Sequence, residues 1–439
     1  MNVFAQKLIK GGGVSGVLKL AGVGLAFLFF LIAARVTTPE QYGQFASSFS
    51  LATILGFFVV GGQHMAILRF WPSLDEQSGR KAADAALRFC IGNLAILTAA
   101  FVACGLAFWL IDQPRQLWSP LVAWTIVLSV AFALSEFTAA ALRARDRIVT
   151  ALAPREVLWR LLAIVAILAL SDGYDGADML AIAALTLLAT LVFQIPQIFR
   201  AFISARGAHL LAAQRSQIRH TSLGMWAGTA LGPISSHVGT VIVGIALGPA
   251  YAGAYFAADR LAKLLSIALI GINQIVGPMI SRSFHAGRVE EVKLISTAAS
   301  LIAFVIAQVG FAGYLLLGRW ALGLFDESFR AFYPVLLILA IGQLANTICG
   351  PNTMLMNMVG LERVWLRIIV VWTGIGIPAV YLAATTLGII GAATASALIM
   401  VGWNLSSWFA TYRHAGLLPI SFSGLPGLLR SARRETLGG

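Results

Sequence analysis

Apolar residues along this chain gather in long unbroken runs separated by short polar segments. The runs cover residues 14–35, 43–65, 86–111, 119–142, 151–171 and 178–199, then 221–247, 250–280, 293–317, 331–357, 364–386 and 389–411. A helix needs about 20 apolar residues to cross roughly 30 Å of hydrocarbon, where every backbone polar group must be satisfied within its own segment. Twelve such runs predict an all-α polytopic membrane protein with twelve transmembrane helices. Strands of a membrane barrel would alternate apolar and polar positions over about 10 residues, and no such alternation is seen. The first run follows Lys7 and Lys10 but is too long for the apolar core of a signal peptide, so it is expected to be retained.

The pattern is written twice. Displacing the sequence by 210 residues lays Thr38-Pro39-Glu40-Gln41-Tyr42-Gly43 over Gly248-Pro249-Ala250-Tyr251-Ala252-Gly253. In the same register Phe45 meets Tyr255, Leu51 meets Leu261, Ala52 meets Ala262, Leu55 meets Leu265 and Gly61 meets Gly271. The shared P-x-x-x-G element suits a helix start, because proline at the first turn lacks only an N–H that has no intrahelical partner anyway. Six predicted helices separate the copies, so both enter the membrane in the same sense. This is a parallel repeat relating two six-helix bundles. The expected organisation is residues 1–210 and 211–413 as the two bundles, with 414–439 as a short basic cytoplasmic tail.

Composition agrees with this picture. The chain is 59% hydrophobic and only 11% charged, whereas a soluble domain carries about a quarter charged residues; it could not solvate a water-facing surface of this size. A formal net charge of +13 raises nucleic acid as a partner, but the positions of the charges account for it without one. With a cytoplasmic N-terminus, the cations outside the helices fall on the cytoplasmic side except for Arg35, Arg115, Arg319 and Arg330. The segments holding Arg143, Arg145, Arg147 and Arg155, and Arg200, Arg206, Arg215 and Arg219, are basic, while the one holding Asp172, Asp175 and Asp178 is acidic. The asymmetry predicts cytoplasmic termini and anionic lipids as neighbours; the expected location is a bacterial inner membrane.

Ionisable groups inside helices need a reason, since each costs about 2.5–3.5 kcal/mol at the helix centre on insertion scales. They are Lys19 in the first helix, Glu136 in the fourth, and Asp259, Arg260 and Lys263 in the eighth, with His64 and His237 as weaker cases. At 100° per residue, Asp259, Lys263, Ser266, Asn273, Gln274 and Gly277 share a narrow arc of helix eight, a polar stripe that cannot face lipid tails. Asp259 and Lys263, four apart, could neutralise each other. Arg260 then needs Glu136, a carbonyl, water or an anionic ligand, and a guanidinium fork matches phosphate oxygens. Gln343, Asn346, Thr347 and Gly350 form an uncharged stripe on helix ten before Pro351, Asn352 and Asn357, able to line a path or to join helices. Gly224, Gly228, Gly232, Gly244 and Gly248, with Pro233, permit close packing or a hinge in helix seven. His64 and His237 read as buried polar contacts, with a coupling proton as the alternative.

No enzyme signature emerges: there is no H-E-x-x-H, no serine elbow and no acidic sugar-nucleotide motif. Nor does a large loop appear of the kind a membrane glycan polymerase or ligase would carry. Cys90, Cys104 and Cys349 lack metal spacing and read as small apolar core residues. No cofactor or metal is expected. Gly11–Gly13 reads as a loop, since no strand precedes it and no Lys-Ser follows.

The stretch Ala33-Ala34-Arg35-Val36-Thr37-Thr38-Pro39-Glu40-Gln41-Tyr42-Gly43 resembles the A-R-x-L-x-P-E-x-Y-G motif of the oligosaccharide flippases. These are the polysaccharide-biosynthesis transporters of the multidrug/oligosaccharidyl-lipid/polysaccharide exporter superfamily. Val241 to Arg282, with Pro278, and Leu387-Gly388-Ile389-Ile390-Gly391-Ala392-Ala393 look like further family segments. The resemblance implies two six-helix bundles around a central cavity, alternating access, and a glycan carried on polyprenyl pyrophosphate. Glycosyltransferases and a glycan polymerase of the same pathway would be its partners. Arg260 matches the family's A-x-R-L position; Gly239 and Thr240 stand where members often carry an Asp-Arg pair, so that pair's coupling role does not transfer. The expected substrate-binding residues are Lys19, Arg260, Lys263, Asn273, Gln274, Gln343 and Asn346, with Glu136 and Asp259 balancing charge or coupling. A drug or metabolite exporter of the same superfamily, a membrane-embedded glycan polymerase or ligase, and a peptidoglycan-precursor flippase are the alternatives.

Overall fold

A computed structural model of the chain describes residues 3–112, 120–169 and 173–416. The side chains of residues 3–12 and 109–112, and of Gln274, Met358 and Ala415, lie outside that description, as do Asp172, Arg115 and residues 417–439 of the expected tail. Among the described residues there is no strand.

The helices in chain order are α1 (Val3–Val36), α2 (Pro39–Val60), α3 (Gln63–Ser78), α4 (Arg80–Asp112), α5 (Pro120–Ala144), α6 (Ile148–Ala153) and, after a π turn at Pro154–Leu158, α7 (Trp159–Ala169). There follow α8 (Gly176–Thr190), α9 (Ile195–Ser204), α10 (Ala212–Leu247), α11 (Pro249–Leu264), α12 (Ile267–His285) and α13 (Val289–Gly323). A 3-10 turn at Glu327–Phe332 leads to α14 (Tyr333–Ile348), then α15 (Asn352–Met358) and α16 (Glu362–Ala415).

Nine helical stretches among the described residues are long and apolar enough to span a bilayer. Three local interruptions separate that count from twelve. The span over 148–169 is divided by the π turn at Pro154, where the missing N–H widens the helix. The span over 249–285 is divided by a tight turn in which Leu265 and Ser266 donate to Ala262 and Lys263, three residues back. The stretch Glu362–His414 holds two spans that meet at Gly388 (φ 68, ψ −157), a backbone state open essentially to glycine alone. Among the described residues the fold is therefore all-α with twelve spans.

The repeat is visible in the element boundaries. Shifted by 210, residues 3–36 of α1 become 213–246, against 212–247 in α10. Residues 39–78 of α2 and α3 become 249–288, against 249–285 in α11 and α12, and α4 becomes 290–322, against 289–323 in α13. Both copies of the second helix are broken. In the first copy Gly61 and Gly62, at φ 56 and 71, end α2 and turn the chain into α3. The span expected over 43–65 therefore closes at Val60, and His64 sits on α3. Periodicity could not show this, because two glycines in an apolar run do not alter its hydropathy.

By packing, the chain divides into two compact units, Met1–Gly253 and Ala254–Gly439. The first has an aromatic centre in which Phe29 meets Phe45 and Trp159 edge-on at 5.9 and 5.6 Å. At the head of α2, Thr38 Oγ1 accepts from the Gln41 backbone N–H (3.3 Å) and Gln41 Oε1 accepts from Thr38 N–H (3.0 Å), a reciprocal cap. Gly43 lies against the Pro249 carbonyl with no room for a Cβ. A Cβ on Gly253 would come within 3.2 Å of Gly43 N and Pro39 O. The two P-x-x-x-G elements thus meet backbone to backbone. Cys90 and Cys349 are buried, but Cys104 is exposed on α4, against the core position expected for it; on a helix that faces lipid a thiol is apolar enough to sit outside.

Candidate functional site

The first unit carries a compact set of charges near its interior. Glu136 is eight residues before the end of α5, about 12 Å along the helix, and its side chain is only 11% exposed. Arg155, on the π turn, pairs with Glu136 Oε2, and Arg143 Nη2 lies 3.8 Å from Oε1. Arg155 and Arg160 in turn lie 3.9 and 3.6 Å from Glu156, and the Arg160 guanidinium also donates to the Glu156 carbonyl and stacks 4.8 Å over Trp159. Lys19 of α1 is half-buried within electrostatic reach of Glu136, Arg143, Arg155 and Glu156. Gly22, one turn further along α1, brings that helix so close that a Cβ would lie 2.9 Å from the Glu156 carbonyl oxygen. Four cations (Lys19, Arg143, Arg155, Arg160) surround two carboxylates (Glu136, Glu156), leaving an excess of two positive charges.

Sequence reasoning singled out Lys19 and Glu136 but counted Arg143 and Arg155 with the basic loop and left out Glu156 and Arg160. The signal was present in Pro154, which forces an irregular turn and redirects the residues that follow it. Arg145 and Arg147 stay in the loop, where the Arg147 guanidinium donates to Gln197 Oε1 (2.8 Å). Arg145 donates to the Gln197 carbonyl (2.9 Å) and lies 5.9 Å over Trp71. Burial lowers its pKa, and the nearby Asp84 opposes the shift. Asp84 is itself buried and accepts from Trp71 Nε1 (3.2 Å) and Ser204 Oγ (2.6 Å).

In the second unit Asp259 serves two cations: Lys263 Nζ is 2.6 Å from Oδ2 and Arg260 Nη2 is 3.9 Å from it. Arg260 also stacks 4.3 Å over Phe256. This group carries one excess positive charge. The polar stripe does not continue along one helix, because the turn at Leu265–Ser266 divides it. Ser266 at that turn donates to Gln343 Oε1 (2.7 Å) and accepts from Asn346 Nδ2 (3.5 Å), so the stripes of α11–α12 and α14 are joined there. Tyr255 Oη donates to Ser396 (2.8 Å) beside Asp259. Asn273 Oδ1 is buried with no hydrogen-bond partner among the described residues; Gln274 lies on α12, its side chain undescribed. His64 is buried beside Phe57, and His237 Nδ1 is 3.4 Å from Ser50 Oγ.

The sequence profile of the polysaccharide biosynthesis protein family matches residues 8–284. That stretch takes in the whole first-unit cluster together with Asp259, Arg260 and Lys263. The chain belongs to the polysaccharide biosynthesis protein family. No curated protein matches it in sequence. Among solved structures, an inward-facing multidrug resistance transporter of the MATE family, in the MOP superfamily, superposes with a TM-score of 0.71 at 16% identity, covering 90% of this chain and 94% of that one. A MOP-superfamily transporter from Pyrococcus furiosus, described as having a binding pocket of reversed polarity that suggests a different function, has a TM-score of 0.62 at 16% identity over 93% of this chain and 96% of its own. The Vibrio cholerae MATE transporter VcmN has a TM-score of 0.59 at 16% identity over 94% and 98%. At these identities the likeness carries the fold. This member of the polysaccharide biosynthesis protein family thus has the fold of MOP-superfamily transporters, built from membrane-spanning helices.

Proposed function

We propose that this family member is a flippase that moves a polyprenyl-pyrophosphate-linked oligosaccharide from the cytoplasmic to the periplasmic leaflet of a bacterial inner membrane. Surface polysaccharide assembly would then use the glycan, through glycosyltransferases and a polymerase of the same pathway. The observation that carries the reading is the excess of cations among partly buried helical residues, two in the Lys19–Glu136 cluster and one beside Asp259. A pyrophosphate cannot shed its water in hydrocarbon without replacement donors. Arginine supplies a planar fork of them, already charged and already oriented by the carboxylates it pairs with. The polyprenyl tail needs no such help and stays in lipid. The family match supports the glycan as cargo.

An exporter of cationic drugs is the competing reading, favoured by the multidrug neighbours. It would require carboxylates in excess, and here both clusters tip the other way.

The test is accumulation of lipid-linked glycan on the inner leaflet in cells lacking the protein, with export restored by the wild-type chain. Lys19→Gln with Arg143→Gln, or Arg260→Gln with Lys263→Gln, should cut restored export by at least about tenfold, the worth of a charge-assisted hydrogen bond or more. Protein levels in the membrane should not change. Unaltered export in both double variants would falsify the anion-binding role.

A further inference from the structure

Two of the four cations that break the charge asymmetry, Arg319 and Arg330, come together in the second unit. Where α13 ends and the Glu327–Phe332 turn leads into α14, a groove of about 630 Å³ is lined by Leu316, Arg319, Trp320, Arg330, Tyr333 and Pro334. Two glycines of α13 seat its walls. A Cβ on Gly318 would lie 2.7 Å from the Tyr333 ring, and one on Gly323 would strike the Arg330 guanidinium. Tyr333 Oη donates to the Leu315 carbonyl (3.1 Å), and its ring lies 5.5 Å beneath the Arg319 guanidinium. Arg330 Nη2 is held by Glu327 at 2.9 Å, and the other nearby carboxylate, Asp326, is engaged by Ser328 N–H at 2.8 Å. Arg319 pairs with no carboxylate among the described residues, so its guanidinium keeps its donors available to a ligand in the groove.

Directly beside this charge lies an apolar wall: Leu315, Leu316, Leu317 and Trp320 are 53, 85, 58 and 57% exposed. Arg319 is four residues from the end of α13, about 6 Å along its axis. A cation with Trp and Tyr at that depth, above bare leucines, has the layout of a headgroup zone over acyl chains.

We propose that this groove binds the phosphate of an anionic phospholipid in the leaflet opposite the basic loops. The non-bridging oxygens are taken by the Arg319 fork and by the outer N–H groups of Arg330, and the acyl chains lie along Leu315–Leu317. The site is independent of the cargo and sits at the lipid-facing end of α13.

The experiment uses the full-length protein with Cys104→Ser, Ala331→Cys and a bimane label at position 331, reconstituted in phosphatidylcholine vesicles. Dibrominated phosphatidylglycerol or dibrominated phosphatidylcholine is then titrated as quencher. Phosphatidylglycerol should occupy the groove about fivefold more strongly, the contribution expected of one basic residue near a lipid surface. Arg319→Gln with Arg330→Gln should abolish the preference, and Arg319→Lys with Arg330→Lys should keep part of it. Size-exclusion profiles of all three proteins check that they are folded. Equal quenching by both lipids, or a preference that survives the Gln variant, overturns the proposal.

Discussion

Arg155 and Glu136 show how a single pair decides the local chemistry. Glu136 is nearly enclosed, and Arg155 reaches it from the π turn while Arg143 stands further off. Removing one partner of such a pair leaves the other desolvated and uncompensated, which costs more than the pair contributes. Arg155→Gln alone should therefore lower stability by about 3 kcal/mol, read from denaturation of the detergent-solubilised protein. Arg155→Gln with Glu136→Gln should recover most of that loss, since both charges are gone. If the single and double variants are equally unstable, Arg155 acts through packing and not through charge. Glu136 and Lys19 were legible in the sequence because a charge in an apolar run is conspicuous. Arg143 and Arg155 were not, because a cation next to a loop looks the same whether it turns outward or inward.

At the scale of elements, the breaks matter more than the helices. The apolar runs announce where spans lie, but Gly61–Gly62, Pro154, Leu265–Ser266 and Gly388 decide where each one bends or stops. The close approach at the P-x-x-x-G elements makes a comparison of two glycines possible. A Cβ on Gly43 meets the Pro249 backbone, which cannot move without moving α11, whereas a Cβ on Gly244 meets Ser47 Oγ at 2.6 Å, the end of a side chain that can rotate. Gly43→Ala should cost about 1–3 kcal/mol, the usual price of overpacking, and Gly244→Ala well under half as much. Thermal unfolding in one detergent checks the order, and a reversed order would mean that the two elements do not meet as described.

At the scale of the molecule, the charge asymmetry makes a statement about sidedness that can be measured directly. His209, between α9 and α10, lies in the basic segment with Arg206 and Arg215, and Ala331 lies in the groove with Arg319 and Arg330. In a Cys104→Ser background, Ala331→Cys should react with a membrane-impermeant thiol reagent added to spheroplasts, and His209→Cys should react only after lysis. The opposite pattern would invert the protein in the membrane, and with it the proposed direction of transport. The twofold repetition of helices belongs to the same scale: one displacement of 210 residues carries the ends of α1, of the α2–α3 pair and of α4 to within a few residues of those of α10, of the α11–α12 pair and of α13.

By itself the sequence determined the class of solvent, the number of spans and the repeat, because all three depend on how apolar residues are distributed along the chain, which folding does not alter. It also exposed the helical charges, whose cost in hydrocarbon is a property of the residue type. The Asp259–Lys263 pair was already offered by its four-residue spacing, but the tertiary structure alone decided that Arg155 and Arg143 answer Glu136 and that Arg319 and Arg330 share a groove. Those pairings depend on directions in space set by a π turn, a tight turn and the absence of a Cβ at Gly22, Gly318 and Gly323. Two residues far apart in sequence have no linear pattern that records the distance between them.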